Sequence, residues 1–170
     1  MIRIGVVSDT HMPRSGRLLP GELRRGLEAS QLALILHLGD LTEPGVAPLF
    51  EEIAPFHAVA GNNDGDELRA RYGRRRVIEV GGVRLGMVHG DGRGGTTRAR
   101  ALATFADEPL DAVLYGHSHM PYCSRQDDRW VINPGSPTDK RRNAEYSYAI
   151  LEITDRAITP HLRFYASKSP

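Results

Sequence analysis

Short apolar runs recur along this chain, and nearly every one stops at a polar cluster. Ile2 to Ser8 is β-branched and apolar, which predicts a buried strand. Residues 20–31 set Leu23 and Leu27 among polar neighbours at helical spacing. Leu32 to Leu38 is a second apolar run and ends at Gly39-Asp40. Val46 to Ile53 reads as a helix, and His57 to Ala60 as a short strand before Gly61-Asn62-Asn63-Asp64. Val77 to Val80 and Val83 to Val88 flank Gly81-Gly82, a hairpin signature. The second of these strands stops at His89-Gly90-Asp91. Thr96 or Thr97 is placed to cap a helix reaching about Phe105. Ala112 to Tyr115 ends at Gly116-His117-Ser118-His119, and Trp130 to Ile132 ends at Asn133-Pro134-Gly135-Ser136. Tyr146 to Ile153 and Ala157 to Tyr165 close the chain as a hairpin.

Strands and helices alternate in the first half, which predicts βαβ units and parallel pairing. Hairpins dominate the second half. The expected fold is α/β, two mixed β-sheets packed as a sandwich flanked by helices, in a single domain over residues 1–170. Basic residues number 22 and acidic residues 21, so bulk charge gives no attraction for nucleic acid or a membrane surface. The one cysteine, Cys123, excludes an intrachain disulfide. No apolar stretch approaches the roughly 20 residues of a membrane span, and the apolar start is too short for a secretory signal. The expected location is the cytoplasm.

The polar clusters share one chemistry. Asp9, His11, Asp40, Asn62, His89, His117 and His119 all follow apolar strands. In open α/β sheets, ligands bind beyond the carboxyl ends of the strands, where distant residues meet. Asp9 and His11 are two apart, as are His117 and His119, so an extended chain points each pair one way. Asp, Asn and His without thiolate suit borderline divalent ions such as Mn, Fe, Ni, Co or Zn. Two such ions against two carboxylates leave a local positive charge that attracts a phosphate ester.

These residues resemble the calcineurin-like metallophosphoesterase superfamily, and most closely its small single-domain bacterial and archaeal phosphodiesterases. The family order is Asp-x-His, Gly-Asp, Gly-Asn-x-Asp/Glu, His, then Gly-His-x-His. All five blocks stand here in that order between residues 9 and 119, and Asn133-Pro134-Gly135-Ser136 matches a further feature of the small members. The resemblance implies that Asp9, His11 and His119 hold one metal, that Asn62, His89 and His117 hold the other, and that Asp40 bridges them. It implies two divalent ions, manganese first among them, and a metal-bridging hydroxide that attacks phosphorus in line. The implied substrate is a small phosphate diester. A phosphomonoesterase, a nuclease, or a non-catalytic scaffold such as a eukaryotic trafficking-coat subunit of this fold are the rivals. Balanced charge argues against extended nucleic acid. The sequence leaves homo-oligomer formation open.

Many family members carry His where this chain has Asn63, and an amide donates a hydrogen bond but no proton. Asn63 is therefore expected at the leaving group, with a preference for esters that leave readily. Asp64 is expected to support a metal ligand by hydrogen bonding, or to stabilise the turn. Arg14, Arg141 and Arg142 are candidates to hold a non-reacting phosphate oxygen; solvated surface arginine is the plainer reading of Arg14. Arg74 to Arg76 read as an exposed face before a strand, and the basic Arg93-Gly94-Gly95 loop is free to touch substrate. His37 reads as a packed, hydrogen-bonded histidine. His57, His161 and Cys123 are left outside the site.

Overall fold

The computed structural model describes residues 1–170. Its elements run β1 (Ile2–Val7), α1 (Gly21–Ala29), β2 (Leu34–His37), α2 (Val46–Glu51), β3 (Phe56–Ala58), α3 (Asp66–Tyr72) and β4 (Arg75–Val80). They continue with β5 (Val83–Val88), α4 (Thr97–Thr104), β6 (Ala112–Leu114), β7 (Tyr122–Gln126), β8 (Arg129–Asn133), β9 (Tyr146–Thr154) and β10 (Ala157–Tyr165). One sheet has the order β10-β9-β1-β2-β3 and the other β4-β5-β6-β8-β7. Parallel pairing joins β1 to β2 and β2 to β3 in the first, and β5 to β6 and β6 to β8 in the second. The remaining pairs are antiparallel. Both sheets are thus mixed, as the sequence pattern predicts.

Side chains alternate across each strand, and both faces of the central strands are covered. Ile4, Val6, Leu36, Ala149 and Leu151 meet Leu85, Met87, Ala112, Leu114 and Ile132 between the sheets. On the outer side of the first sheet, Val7 and Ile35 join Leu23 and Leu27 of α1 and Phe50 of α2. On the outer side of the second, Val113 and Val131 join Ala101 of α4 and Phe105. Burial on both faces is why these strands read as continuous apolar runs. Thr96 caps α4 by accepting from the Ala99 amide at 3.1 Å.

Two elements escape the sequence pattern. Helix α3 buries only Leu68, so it carries no apolar stripe. Strand β7 is a half-exposed edge strand with Ser124, Arg125 and Gln126 in it. The Arg74 to Arg76 run is also corrected, because β4 begins at Arg75. Arg74 pairs with Asp91 at 2.6 Å, and Arg75 pairs with Glu108 and lies 4.6 Å above the Phe105 ring. Those partners come from distant segments, which a local reading cannot supply. No helix is long and apolar enough to cross a membrane.

What positions the site is the set of six parallel strands. Polar clusters follow the carboxyl ends of β1, β2, β3, β5, β6 and β8. Leu36, fully buried between the sheets, is central to their packing. Leu36→Ala is expected to cost about 3 kcal/mol in chemical denaturation. Leu18→Ala, at 60% exposure, is expected to stay within about 0.5 kcal/mol.

Candidate metal centre

Asp9 leaves β1 with its carboxylate wholly buried. Its Oδ2 accepts from the Ser8 hydroxyl at 2.7 Å and from the His117 amide at 2.9 Å. Its Oδ1 has no hydrogen-bond partner, and neither do the Nε2 atoms of His11, His89 and His119. Those three nitrogens stand 3.8, 3.7 and 3.6 Å from Asp9 Oδ1. Asp40 Oδ2 adds contacts of 3.4 Å to His11 and 3.2 Å to His89. Buried polar atoms normally find partners. Ligands about 2.1 Å from one cation sit roughly 3–3.4 Å from each other, so the spacing and the lone pairs fit a divalent ion.

Hydrogen bonds behind the rings aim them. His89 Nδ1 donates to the Leu38 carbonyl at 2.6 Å, and His119 Nδ1 donates to the Asp139 carbonyl at 2.6 Å. In the neutral rings this turns each Nε2 lone pair toward the carboxylates. The ligand atoms fall into two groups, Asp9 with His11 and His119, and Asp9 with Asp40 and His89. The first is the trio the resemblance implies. In the second, Asp9 reaches the His89 side as well as Asp40. Asn62 and His117 lie beside each other at the rim, His117 Nδ1 donating to Asn62 Oδ1 at 3.2 Å, with the His117 and His89 ring centroids 5.2 Å apart.

The charges are consistent with this packing. Burial pushes the Asp40 carboxyl up, but contact with His89 and two donors from Asn63 outweigh it and hold it well below the usual carboxylate range. Burial likewise raises Asp9, and His11, His89 and His119 bring it down. Burial lowers His89, yet the Asp40 and Asp9 carboxylates lift it to about 9. Burial lowers His117 and His119. Burial also takes His37 down to about 3. His37 is therefore neutral, accepting from the Gly39 amide at 3.1 Å and donating to the Thr10 hydroxyl at 3.0 Å. It is the packed, hydrogen-bonded histidine its place in the strand predicts.

The backbone departs from the expected extended conformation. Asp9, His11, Asp40, His117 and His119 have φ of 57, 45, 62, 69 and 60°. These left-handed residues bend the chain sharply after each strand. That is how pairs two apart converge, and each costs on the order of 1 kcal/mol that the surroundings must offset. The approach is close: a Cβ on Gly61 would run into the Asp40 carboxylate, and one on Gly116 into the Ser8 hydroxyl.

Asp64 and Asn63 both contact Asp40, in different ways. The buried Asp64 carboxylate accepts from the backbone amides of Asp40, Gly61 and Thr42 at 2.8, 2.7 and 2.7 Å. It holds the loops, including the backbone of Asp40 itself, which combines the turn-stabilising role with support of a ligand residue. Asn63 donates to Asp40 from its amide nitrogen and from Nδ2, both at 2.9 Å. Its side chain steadies a ligand carboxylate, and this contact was not visible from sequence order. Arg14 is exposed, 3.9 Å from Asp139, and lines a cleft of about 620 Å³ with His11, Asn63 and Arg141. Arg142 lies in an adjoining cleft with Arg141. His161 donates to Glu152 at 2.5 Å, and Cys123 packs against the core between the sheets, so both stay outside the centre.

The sequence reading missed the buttress after β8. Ser136 donates to the Asp9 carbonyl at 2.8 Å, and Thr138 to the Thr10 carbonyl at 2.6 Å. Asn133 donates to the Gly116 carbonyl at 3.1 Å. The available signal was a polar stretch that nonetheless follows a buried strand. Asp64→Ala strands three amides, so it is expected to destabilise the fold by at least about 2 kcal/mol and to weaken divalent-ion binding about 10–100-fold. Calorimetric titration and denaturation read the two effects. Unchanged ion affinity in a folded variant would contradict the role given to Asp64.

Comparison with known proteins shows the family. The family model of the calcineurin-like phosphoesterase superfamily domain matches residues 2–156. A probable metallophosphoesterase of Methanothermobacter thermautotrophicus is 36% identical over 144 residues, covering 81% of this chain and 78% of that protein. A phosphodiesterase of Methanocaldococcus jannaschii is 27% identical over 149 residues, covering 79% of this chain and 83% of that one. Among solved structures, Vps29 of Chaetomium thermophilum has a TM-score of 0.79 at 18% identity over the whole of both chains, a likeness that shows the fold alone. On the family match and the archaeal relative together, this chain belongs to the calcineurin-like phosphoesterase superfamily.

Proposed function

We propose that the protein is a divalent-metal-dependent phosphodiesterase with a binuclear centre. The observation that carries this reading is the set of four buried, partnerless donor atoms turned toward one another around Asp9 and Asp40. Asp9, His11 and His119 would hold one ion. Asp40, Asn62, His89 and His117 would hold the second, with Asp40 also reaching the first. The donor set contains imidazole, carboxylate and amide without thiolate, which suits Mn²⁺ first and also Ni²⁺, Fe²⁺, Co²⁺ or Zn²⁺. When bound, such ions supply an activated water and positive charge for phosphoryl oxygens.

The chain's own residues do the rest. Leu38 and Asp139 carbonyls fix the His89 and His119 rings, so no reorientation is needed on binding. Asn63 holds Asp40 from two donors. Arg141 and Arg14 line the cleft that contains His11, where a guanidinium can grip a non-reacting phosphate oxygen. The archaeal relative named a phosphodiesterase supports a diester over a monoester. All seven ligand positions carry competent residues, which favours catalysis over a scaffold.

The Asn63 position supplies no proton for a leaving group. With Mn²⁺, an aryl phosphodiester is therefore expected to turn over faster than an alkyl one by on the order of 100-fold or more. Asn63→His is expected to narrow that ratio at least tenfold. Asp40→Ala is expected to abolish both activities, as is a chelator. A metal-loaded, folded protein inert toward every diester would remove the proposal, and an unchanged ratio in Asn63→His would remove the role of the missing acid.

A further inference from the structure

Three successive carbonyls behind the centre each accept from a different side chain. Pro137 accepts from the Tyr165 hydroxyl, Thr138 from Lys168 Nζ at 3.0 Å, and Asp139 from His119 Nδ1 at 2.6 Å. The third contact aims a candidate ligand ring. The first two fix the peptides just before it, and both come from the end of β10 and the segment that follows. Lys168 reaches a second loop as well, because Nζ also donates to the Ser15 carbonyl at 3.0 Å. The Ser15 amide in turn donates to the His11 carbonyl at 2.8 Å. One ammonium therefore ties the turn that begins at His11 to the segment behind His119. Those are the two imidazoles grouped with Asp9.

A lysine side chain loses much rotamer freedom when it is held, so one exposed contact would fix little. Lys168 is constrained from several sides. The Gly21 amide, at the start of α1, donates to the Ser169 carbonyl at 2.7 Å and anchors the segment. Nζ lies 6.0 Å from the centroid of the Tyr146 ring, and that ring stacks on Tyr165 with centroids 5.6 Å apart. The two oxygens that Lys168 grips are neutral carbonyls, so its positive charge is not cancelled by a partner. By Coulomb's law alone, that charge opposes a cation at the centre. Any help that Lys168 gives to ion binding is therefore geometric, and the two effects have opposite signs.

We infer that Lys168 is a positioning residue for the metal centre. By bridging the Ser15 and Thr138 carbonyls, it holds the Asp139 carbonyl where it turns His119 Nε2 toward Asp9. This rests on the metal-centre reading of the site and is independent of which ester is the substrate.

The test uses the full chain, Lys168→Met, Lys168→Arg, and Arg163→Ala at an exposed position of β10, which removes the same charge elsewhere. In the ion-free chain, NMR reads the His119 Nδ1 proton. Lys168→Met is expected to shift it upfield and leave the corresponding His89 proton in place. In calorimetric titration with Mn²⁺, Lys168→Met is expected to bind about tenfold more weakly. Lys168→Arg, which keeps donors for both carbonyls, is expected to recover most of the loss, and Arg163→Ala to bind no more weakly than the wild type. Binding by Lys168→Met as tight as the wild type, or tighter, would overturn the inference alone, because charge would then be all that Lys168 supplies. An unmoved His119 proton would do the same. A wild-type chain that binds no divalent ion would overturn the metal reading and this inference with it.

Discussion

A carboxylate taken wholly out of water must be matched by donors or charge, or it gives up its ionisation. Asp9 lies at that limit between the two sheets. Ser8 and the His117 amide satisfy one oxygen, and the other faces three imidazoles without a hydrogen bond. Everything else at the centre follows from holding that arrangement. Ser136 and Thr138 fasten the backbone that carries Asp9 and Thr10. Leu38 and Asp139 turn His89 and His119 inward. Asp64 secures the loop of Asp40 from beneath. The hydrophobic core between the sheets sets the distance across which these loops meet.

Where apolar runs were long and both faces buried, the chain announced its structure. β1, β5 and β9 are continuous apolar segments because each is covered on two sides. α3 was silent because it needs only Leu68 to dock. β7 was silent because an edge strand tolerates Ser124, Arg125 and Gln126. The residue types of the centre were equally open to reading, since they recur after strand ends. Their backbone was not. Asp tolerates a left-handed conformation readily, but three of the five bent positions are His, and local sequence gives no reason for φ above zero there. The reason is tertiary: Gly61 and Gly116 let neighbouring loops press so close that only a tight bend fits. Asn63 was read from its place in the motif, but the hydrogen bond from its Nδ2 to Asp40 needs the meeting of two loops that local order does not show.

Bulk charge and local charge give opposite impressions of the partner. Ion pairs such as Arg75–Glu108 and Arg84–Glu79 neutralise arginines away from the centre. Acidic residues are thereby used up elsewhere, and the cleft beside His11 keeps two arginines, Arg14 and Arg141, against one glutamate, Glu43. A near-zero total therefore says little about the field at the site, because clefts focus what lines them.

The central claim is that Asp9, Asp40 and five further side chains form one cage for two cations. Anomalous diffraction from crystals grown with Mn²⁺ reads this directly. The proposed binuclear reading predicts two peaks about 3.5–4 Å apart, one beside Asp9, His11 and His119, the other beside Asn62, His89 and His117, with Asp40 between them. A map with no anomalous density between Asp9 and His89, or with manganese only at surface carboxylates, would contradict it.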